Sequence, residues 1–200
     1  MKGSKAKAAV YLIAAALMIQ MFSLCGAAYD ISKIKGAVKT TGAELPEYSE
    51  GCEQINAAEL GADGSGEKDS AKAIQKALDY ARDNASDQLQ VKVFIPAGEY
   101  RISKTLRIYS NTWLYMDDGA VIKKCFDGGC MLKNTKQYYS GGYDADRNII
   151  IEGGTWDGNT SEYYKTAYFS NIRIGHARNI IFRNSKICNN KNGHHLELGG

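Results

Sequence analysis

Short apolar runs in this chain recur behind an asparagine. The segments 111–114, 148–151 and 179–182 read Asn-Thr-Trp-Leu, Asn-Ile-Ile-Ile and Asn-Ile-Ile-Phe, at intervals of 37 and 31 residues. The alternating triplets 172–174 and 196–198 repeat at 24 residues. Intervals of about 20–50 residues are typical of repeat proteins, in which each unit buries its apolar side only against its neighbours. The pattern predicts stacked β coils whose outer face is a long, shallow groove suited to an extended polymer.

One segment has helical periodicity instead. Apolar residues recur there at intervals of three and four, namely Ala71, Ile74, Leu78 and Ala81. Asp69 or Ser70 can cap this helix. The rest of the chain after it has short strands separated by glycine and asparagine. A sandwich or a barrel also contains many short strands, but the single early helix and the drifting repeat length favour an all-β solenoid.

The repeated asparagines have a structural interpretation. Asparagine tolerates left-handed backbone angles and bonds to nearby backbone groups. Stacked copies at Asn111, Asn148 and Asn179 can also hydrogen-bond to one another. We therefore assign these residues to the turns of the coil and not to catalysis.

The first 28 residues have the features of a secretory signal peptide. A start with three lysines precedes the apolar run 8–24, and Gly26 and Ala28 provide small residues for cleavage. A membrane anchor and a lipoprotein modified at Cys25 are the alternatives. We expect residues 1–28 to be the signal peptide, 29–52 a lead segment and 53–200 the β-coil domain. The expected location is secreted, extracellular or at the cell surface, with no membrane contact after removal of the signal.

Charge and cysteines narrow the function further. The chain has 25 basic and 22 acidic residues, and the signal peptide contains three of the lysines and no acid. The remaining charges balance, so no basic field indicates a nucleic-acid partner. Four cysteines remain, at positions 52, 125, 130 and 188. Two disulfides are allowed, with Cys125 and Cys130 as the favoured pair, while Cys188 also fits a buried free thiol.

Several motifs resemble those of a known superfamily. They are Gly-Ala-Asp-Gly at 61–64, the helix that follows it, Val-Phe-Ile-Pro-Ala-Gly-Glu-Tyr at 93–100, and Gly-Gly-Thr-Trp-Asp-Gly at 153–158. Together they are similar to the pectate-lyase-like, right-handed parallel β-helix superfamily, in its rhamnogalacturonase/polygalacturonase-like and epimerase-like branch. The resemblance implies that the helix caps the amino-terminal end of the β-helix core.

The same resemblance shows which family motifs are missing from this sequence. Polygalacturonases of this superfamily have an Asn-Thr-Asp motif, followed on later coils by paired aspartates, Gly-His-Gly and Arg-Ile-Lys. Here the first slot reads Asn-Gly-His-His-Leu-Glu-Leu at 192–198, and the later motifs are not in the sequence. We therefore expect the amino-terminal part of a β-helix, truncated at its C-terminal end.

The densest polar cluster lies in that slot. Alternation along a strand sends His195 and Glu197 to one face and His194 and Leu196 to the other. Because Leu196 belongs in the core, His195 and Glu197 should face solvent together, as an acid/base pair. The predicted catalytic residues are His195, Glu197 and His194. A solvated strand face is the structural alternative.

Tyrosines are concentrated in two insertions that lengthen the repeat. Tyrosine combines an apolar ring with a hydroxyl and stacks well on sugars. The predicted substrate-binding residues are Tyr138, Tyr139, Tyr163, Tyr164 and Arg173. Loops that simply pack on the coil wall are the alternative.

Two functions are consistent with these features. The first is an enzyme that degrades a pectin-like acidic polysaccharide, by hydrolysis or by β-elimination. The second is a non-catalytic glycan-binding, adhesin or spike module. We expect no cofactor and no metal site. A lyase would need a cation, either an arginine or Ca²⁺. Asp117 and Asp118 could bind that ion, but two acids before a glycine fit a turn better.

Overall fold

A computed structural model describes residues 52–135, 142–163 and 169–199. The described chain forms three parallel sheets, and successive strands of each sheet come from successive turns of the chain. Sheet 1 contains β1 (Glu53–Asn56), β3 (Val91–Ile95), β6 (Thr112–Met116), β9 (Asp146–Glu152) and β12 (Ala177–Arg183). Sheet 2 contains β2 (Ser65–Asp69), β4 (Gly98–Ile102), β7 (Ala120–Lys124), β10 (Thr155–Asp157) and β13 (Lys186–Cys188). Sheet 3 contains β5 (Leu106–Ile108), β8 (Leu132–Asn134), β11 (Ile172–Gly175) and β14 (Leu196–Gly199).

The chain visits the sheets in a fixed order, which makes it a parallel β-helix. Rungs 1 to 4 are β3–β5, β6–β8, β9–β11 and β12–β14, and every strand pair between rungs is parallel. The predicted all-β solenoid is confirmed. The registers also match the two sequence repeats, since Ile172 lies opposite Leu196 and Ile150 lies opposite Ile181.

The interior is mostly apolar. Alternate residues of β3 and β6 are fully buried, including Val93 and Leu114, while the residues between them face outward and are partly exposed. Trp156 of β10 is buried completely and is among the largest side chains of this core. The alternation of the strands therefore fixes which side chains are available on the outer faces.

The asparagine repeat forms the corner between sheets 3 and 1. Asn111, Asn148 and Asn179 have φ angles of 61°, 56° and 55°, in the left-handed region. The Asn179 side-chain amide donates to Asn148 Oδ1 at 3.1 Å, and that of Asn148 donates to Asn111 Oδ1 at 2.8 Å. Asp87 accepts from Asn111 at 3.2 Å and ends this asparagine ladder. The predicted stacking is confirmed.

The helix lies beside the first rung of sheet 3. Helix α1 (Ala71–Asn84) buries its stripe of alanine, isoleucine and leucine side chains and packs on β3 and β5. Ser70 is the N-cap residue, but Asp69 Oδ1 accepts from the Ala71 amide at 3.1 Å. Gln75 Oε1 accepts from the backbone amide of Arg107 at 2.8 Å, and Gln75 Nε2 donates to the Arg107 carbonyl at 3.1 Å. One side chain thus pairs with the open edge of β5 as a strand would. A one-turn 3₁₀ helix (Ala58–Leu60) precedes β2.

The Gly-Gly turn at 153–154 has a steric cause. Gly153 has φ of 78°, and a Cβ atom there would lie 2.0 Å from the Met116 carbonyl oxygen. Any side chain would push rungs 2 and 3 apart. Asp157, in the same motif, accepts from the Asn159 amide at 2.9 Å and from Asn189 Nδ2 at 2.7 Å, which agrees with its predicted turn role.

The four cysteines of the described segments, Cys52, Cys125, Cys130 and Cys188, are free thiols. The favoured pairing of Cys125 with Cys130 is therefore wrong for this structure. The described residues include no helix with the length and apolar character needed to cross a membrane. The expected signal peptide and most of the lead segment lie outside the described residues.

Candidate functional site

The outer face of sheet 3 has a row of cations in register. Arg107 on β5 lies opposite Lys133 on β8, and Lys133 lies opposite Arg173 on β11. Each comes from the centre of an alternating segment, so its flanking residues are buried and its own side chain points outward. Neighbouring strands are about 4.8 Å apart. Three positive charges are thus stacked on consecutive rungs, and we call Arg107, Lys133 and Arg173 the cation column.

Glu197 continues this column on the fourth rung. It lies opposite Arg173, and Arg173 Nε is 3.1 Å from Glu197 Oε1. Ser170 Oγ donates to the other carboxylate oxygen at 2.6 Å. The side chains of Arg173 and Glu197 are 36% and 30% exposed, so both remain within reach of a ligand. The carboxylate is held from both sides at the end of the column.

The other two cations of the column have no such partner. In the described ranges, neither Arg107 nor Lys133 forms an ion pair through its side chain. Like charges directly opposite each other on adjacent strands destabilise a sheet. The fold therefore gains nothing from this arrangement, which favours a role in binding a polyanion.

Cys130 lies at the edge of this face. Burial raises the pKa of its thiol, whereas the nearby Lys133 and Arg173 lower that pKa and Glu197 raises it. Thr105 Oγ1 donates to the Cys130 carbonyl at 2.6 Å, which fixes the loop before β8. The thiol therefore lies within electrostatic range of the column, and burial has the largest influence on its pKa.

The predicted histidines lie next to the column. Strand β14 begins at Leu196, so His195 lies just before it and His194 lies in the preceding loop; both are exposed. Their backbone carbonyls accept from Ile172 and Asn171, which holds the loop on rung 3. Glu197 makes its ion pair with Arg173 and none with His195. The acid/base pairing of His195 and Glu197 stays a prediction.

The tyrosine predictions are divided. Tyr138, Tyr139 and Tyr164 lie outside the described residues. Tyr163 lies near Arg101 of β4. The pKa of Arg101 is raised mainly by Cys125 and to a smaller extent by Tyr163. That position is on sheet 2. Of the two predicted binding residues within the described ranges, Arg173 therefore lies at Glu197 and Tyr163 does not.

The described residues do not fit a calcium site. Ca²⁺ takes six to eight oxygen ligands. No cluster of three or more acidic, histidine or cysteine side chains occurs in the described ranges, and the face around Glu197 is cationic. Asp117 Oδ1 accepts from the Gly119 amide at 3.0 Å, as a turn residue does. No step of the chemistry is therefore assigned to a metal.

Arg107 and Lys133 were not among the predicted site residues. A signal for them is present, since β5, β8, β11 and β14 each place one charged residue at the centre or second position of a short apolar segment. Comparing the triplets Leu-Arg-Ile, Leu-Lys-Asn, Ile-Arg-Ile and Leu-Glu-Leu would have revealed it.

Comparison with known proteins agrees with this architecture. The model of the family described as "Rhamnogalacturonase A/epimerase, pectate lyase-like" matches residues 54–197. The chain belongs to this family. The predicted resemblance to the rhamnogalacturonase-like and epimerase-like branch of the pectate-lyase-like superfamily is thereby confirmed. No curated protein gives a significant match.

The chain is similar to solved structures of two epimerase modules and one exopolygalacturonase. The A-module of the mannuronan C-5 epimerase AlgE4 from Azotobacter vinelandii has a TM-score of 0.59 at 21% identity, over 72% of this chain and 41% of that one. The AlgE6 A-module of the same organism has a TM-score of 0.58 at 21% identity, over 72% and 40%. A family 28 exopolygalacturonase from Yersinia enterocolitica has a TM-score of 0.45 at 23% identity, over 55% and 21%. This family member thus spans about two fifths of the epimerase modules, and the likeness establishes the fold.

Proposed function

We propose that this protein acts on an acidic polysaccharide, which binds along the outer face of sheet 3. The cation column supports this proposal most directly, because two of its three cations have no ion-pair partner in the described ranges. Membership of the family and the fold shared with two mannuronan C-5 epimerases favour a carbohydrate ligand. Export to the cell exterior is part of the same proposal.

The spacing of the column suits a chain of uronic acids. Adjacent strands are about 4.8 Å apart, which is similar to the length that one pyranose unit adds to a polymer. A glycan lying along the helix axis can therefore offer one carboxylate to each rung. Arg107 and Arg173 can bind a carboxylate through two parallel hydrogen bonds, whereas Lys133 acts as a point charge.

The end of the column provides the groups for proton abstraction. A carboxylate base at Glu197 removes the proton on the carbon next to the uronate carboxyl group. The electron pair moves into that carboxyl group, and Arg173 stabilises the extra negative charge. Departure of the glycosidic oxygen at C4, with protonation by His195, completes β-elimination. Return of a solvent proton to C5 from the opposite side, with the glycosidic bond intact, gives epimerisation instead.

Hydrolysis fits this face less well. Glycosidases use two carboxyl groups about 5–9.5 Å apart, one on each side of the bond. The described outer positions of sheet 3 in register with Glu197 are cations. Proton abstraction is therefore the chemistry that we propose.

Incubation in D₂O with polygalacturonate or with polymannuronate tests the reaction. A rise in unsaturated-uronate absorbance without deuterium at C5 of the new end identifies elimination, because C5 carries no hydrogen in the C4=C5 product. Deuterium at C5 without that absorbance identifies epimerisation. Reducing ends without either signal would indicate hydrolysis and contradict the mechanism. Binding without any product would favour the glycan-binding module, and the absence of both binding and product would overturn the proposal.

A further inference from the structure

A second outer face has an aromatic surface that the proposed function does not use. On sheet 1, Phe94 of β3 lies opposite Tyr115 of β6, and Lys92 lies opposite Trp113. All four side chains point away from the core and are partly exposed. The alternate residues Val93 and Leu114 fill the interior completely. The aromatic rings are therefore not needed to form the core.

The rings form one continuous platform. The centroids of Phe94 and Tyr115 are 5.8 Å apart with an interplanar angle of 24°, so these rings are nearly parallel. Trp113 meets Tyr115 edge-on, at 6.0 Å and 71°. We call Phe94, Trp113 and Tyr115 the aromatic platform. Such exposed rings offer apolar faces to which the C–H face of a pyranose can bind.

A cation lies on this platform. Lys92 Nζ is 4.4 Å from the centroid of Trp113 and 4.2 Å from that of Tyr115. Of the ion pairs in the described segments, none includes Lys92. The Lys92 ammonium group therefore makes cation–π contacts with two rings and has no carboxylate counter-charge among the described residues. A carboxylate on a ligand would supply the missing counter-charge.

The rim of the platform carries an acceptor. Glu152 Oε2 accepts from Trp113 Nε1 at 3.1 Å and pairs with Arg183 at 3.0 Å. These contacts fix the indole orientation and place a carboxylate beside it. Hydroxyl groups of a sugar can donate to that carboxylate, whereas the phosphate oxygens of a nucleic acid have no proton to donate to it. The combination favours a sugar over single-stranded nucleic acid, which also stacks on aromatic rings.

We propose that the outer face of sheet 1 is a second carbohydrate-binding surface that takes an acidic sugar. The pyranose stacks on the aromatic platform, and its carboxylate pairs with Lys92. The asparagine ladder separates this surface from the cation column, because it forms the corner between sheets 3 and 1. Binding on sheet 1 does not require the reaction proposed for sheet 3.

Intrinsic fluorescence can report on this surface directly. The chain has two tryptophans, and Trp156 is fully buried, so ligand-dependent changes at the surface come from Trp113. Hexagalacturonate should change the emission saturably, and Trp113→Phe should remove that response. Lys92→Ala should weaken the apparent affinity about tenfold, whereas Lys76→Ala, an exposed lysine on α1, should not change it.

Matched controls establish whether the emission change comes from an acidic sugar bound on sheet 1. Lys133→Ala, in the cation column, should leave the Trp113 titration unchanged, and circular dichroism should show that each variant is folded. Equal affinity for a neutral hexasaccharide, or tighter binding of oligo(dT), would overturn the proposal. So would a titration that is silent for every glycan, or one that is weakened by Lys133→Ala and not by Lys92→Ala.

Discussion

The asparagine ladder and the cation column ascend the same rungs, and each repeats one kind of side chain in register. In the ladder, each amide donates to the oxygen of the asparagine below it, so every added copy is satisfied by the previous one. In the column, Arg107, Lys133 and Arg173 can only repel one another. Repetition that pairs with itself supports the fold. Repetition that cannot pair with itself, as at Arg107 and Lys133, is the reason for proposing a polyanionic partner.

Removing the charge of Glu197, the acid that follows the cation column on the fourth rung, should have the largest effect on turnover. Glu197→Gln keeps the shape of the side chain but removes the base, so we expect turnover of the polyuronate to fall about 10²–10⁴-fold. His195→Ala should also reduce turnover. Glu67→Gln, an exposed acid on β2, is the matched control and should retain full rate. Equal turnover in the Glu197→Gln and Glu67→Gln proteins would remove Glu197 from the mechanism.

Breaking the ladder at its centre should cost stability and not activity. Asn148→Ala loses one donor bond and one acceptor bond, about 1 kcal/mol each, and places alanine at a left-handed φ for about 1–2 kcal/mol more. Urea unfolding should show a loss of about 3–4 kcal/mol. Asn148→Gly tolerates the φ angle and should cost less.

The position within the ladder provides a further control. Asn179→Ala removes one bond of the ladder where Asn148→Ala removes two, so its loss should be smaller. An equal loss for both variants would mean that the side-chain bonds contribute little and that the backbone angle dominates.

Truncating a cation of the column should have the opposite effect, a loss of ligand binding without a loss of stability. Lys133→Ala relieves repulsion from two arginine neighbours, so the free energy of unfolding should stay constant or rise slightly. Binding of polygalacturonate should weaken several-fold, and its dependence on salt should decrease. Isothermal calorimetry at two ionic strengths measures both. A destabilised protein with unchanged affinity would contradict the comparison.

A lysine buried inside the β-helix can be compared with the exposed cations of the column through the pH dependence of stability. Lys124 is fully buried, donates from Nζ to the Phe126 carbonyl at 2.7 Å, and lies 3.9 Å from the centroid of Phe169. Burial lowers the pKa of Lys124 from 10.5 to about 8. Between these values the unfolded chain binds more protons than the folded one, so this lysine makes the free energy of unfolding rise with pH.

The comparison variant is Lys124→Met, which should lose this pH-dependent contribution. The stability of the wild type relative to the variant should therefore increase from about pH 8 to about 10.5 and stay constant below that range. Denaturant titrations of both proteins across this range measure the difference. A constant difference at all pH values would show that the lysine titrates normally.

The corner of the β-helix could be predicted from sequence because few residues fit it. A left-handed turn followed by a core strand accepts asparagine and then aliphatic residues, so the repeat was visible at 111, 148 and 179. The triplets 172–174 and 196–198 gave the register of β11 and β14. Strands β9 and β12 begin before their asparagines, because parallel pairing continues across the corner.

The two surfaces could not be assembled in the same way. Arg107 and Lys133 are 26 residues apart, but Lys133 and Arg173 are 40 apart, because insertions lengthen the third rung. Alternation shows that each side chain faces outward but not which side chain lies beside it. For the same reason the contact of Lys92 with Trp113 depends on the register between β3 and β6, which the sequence does not state.

The two hydrogen bonds from Gln75 to the backbone of Arg107 have a consequence for association between molecules. An unprotected strand edge is a template on which a foreign chain can add and start a fibre. A strand approaching β5 from the side of α1 would have to displace a glutamine amide that already fills both bonding positions. One uncharged side chain on a helix thus protects this border of the sheet from intermolecular growth.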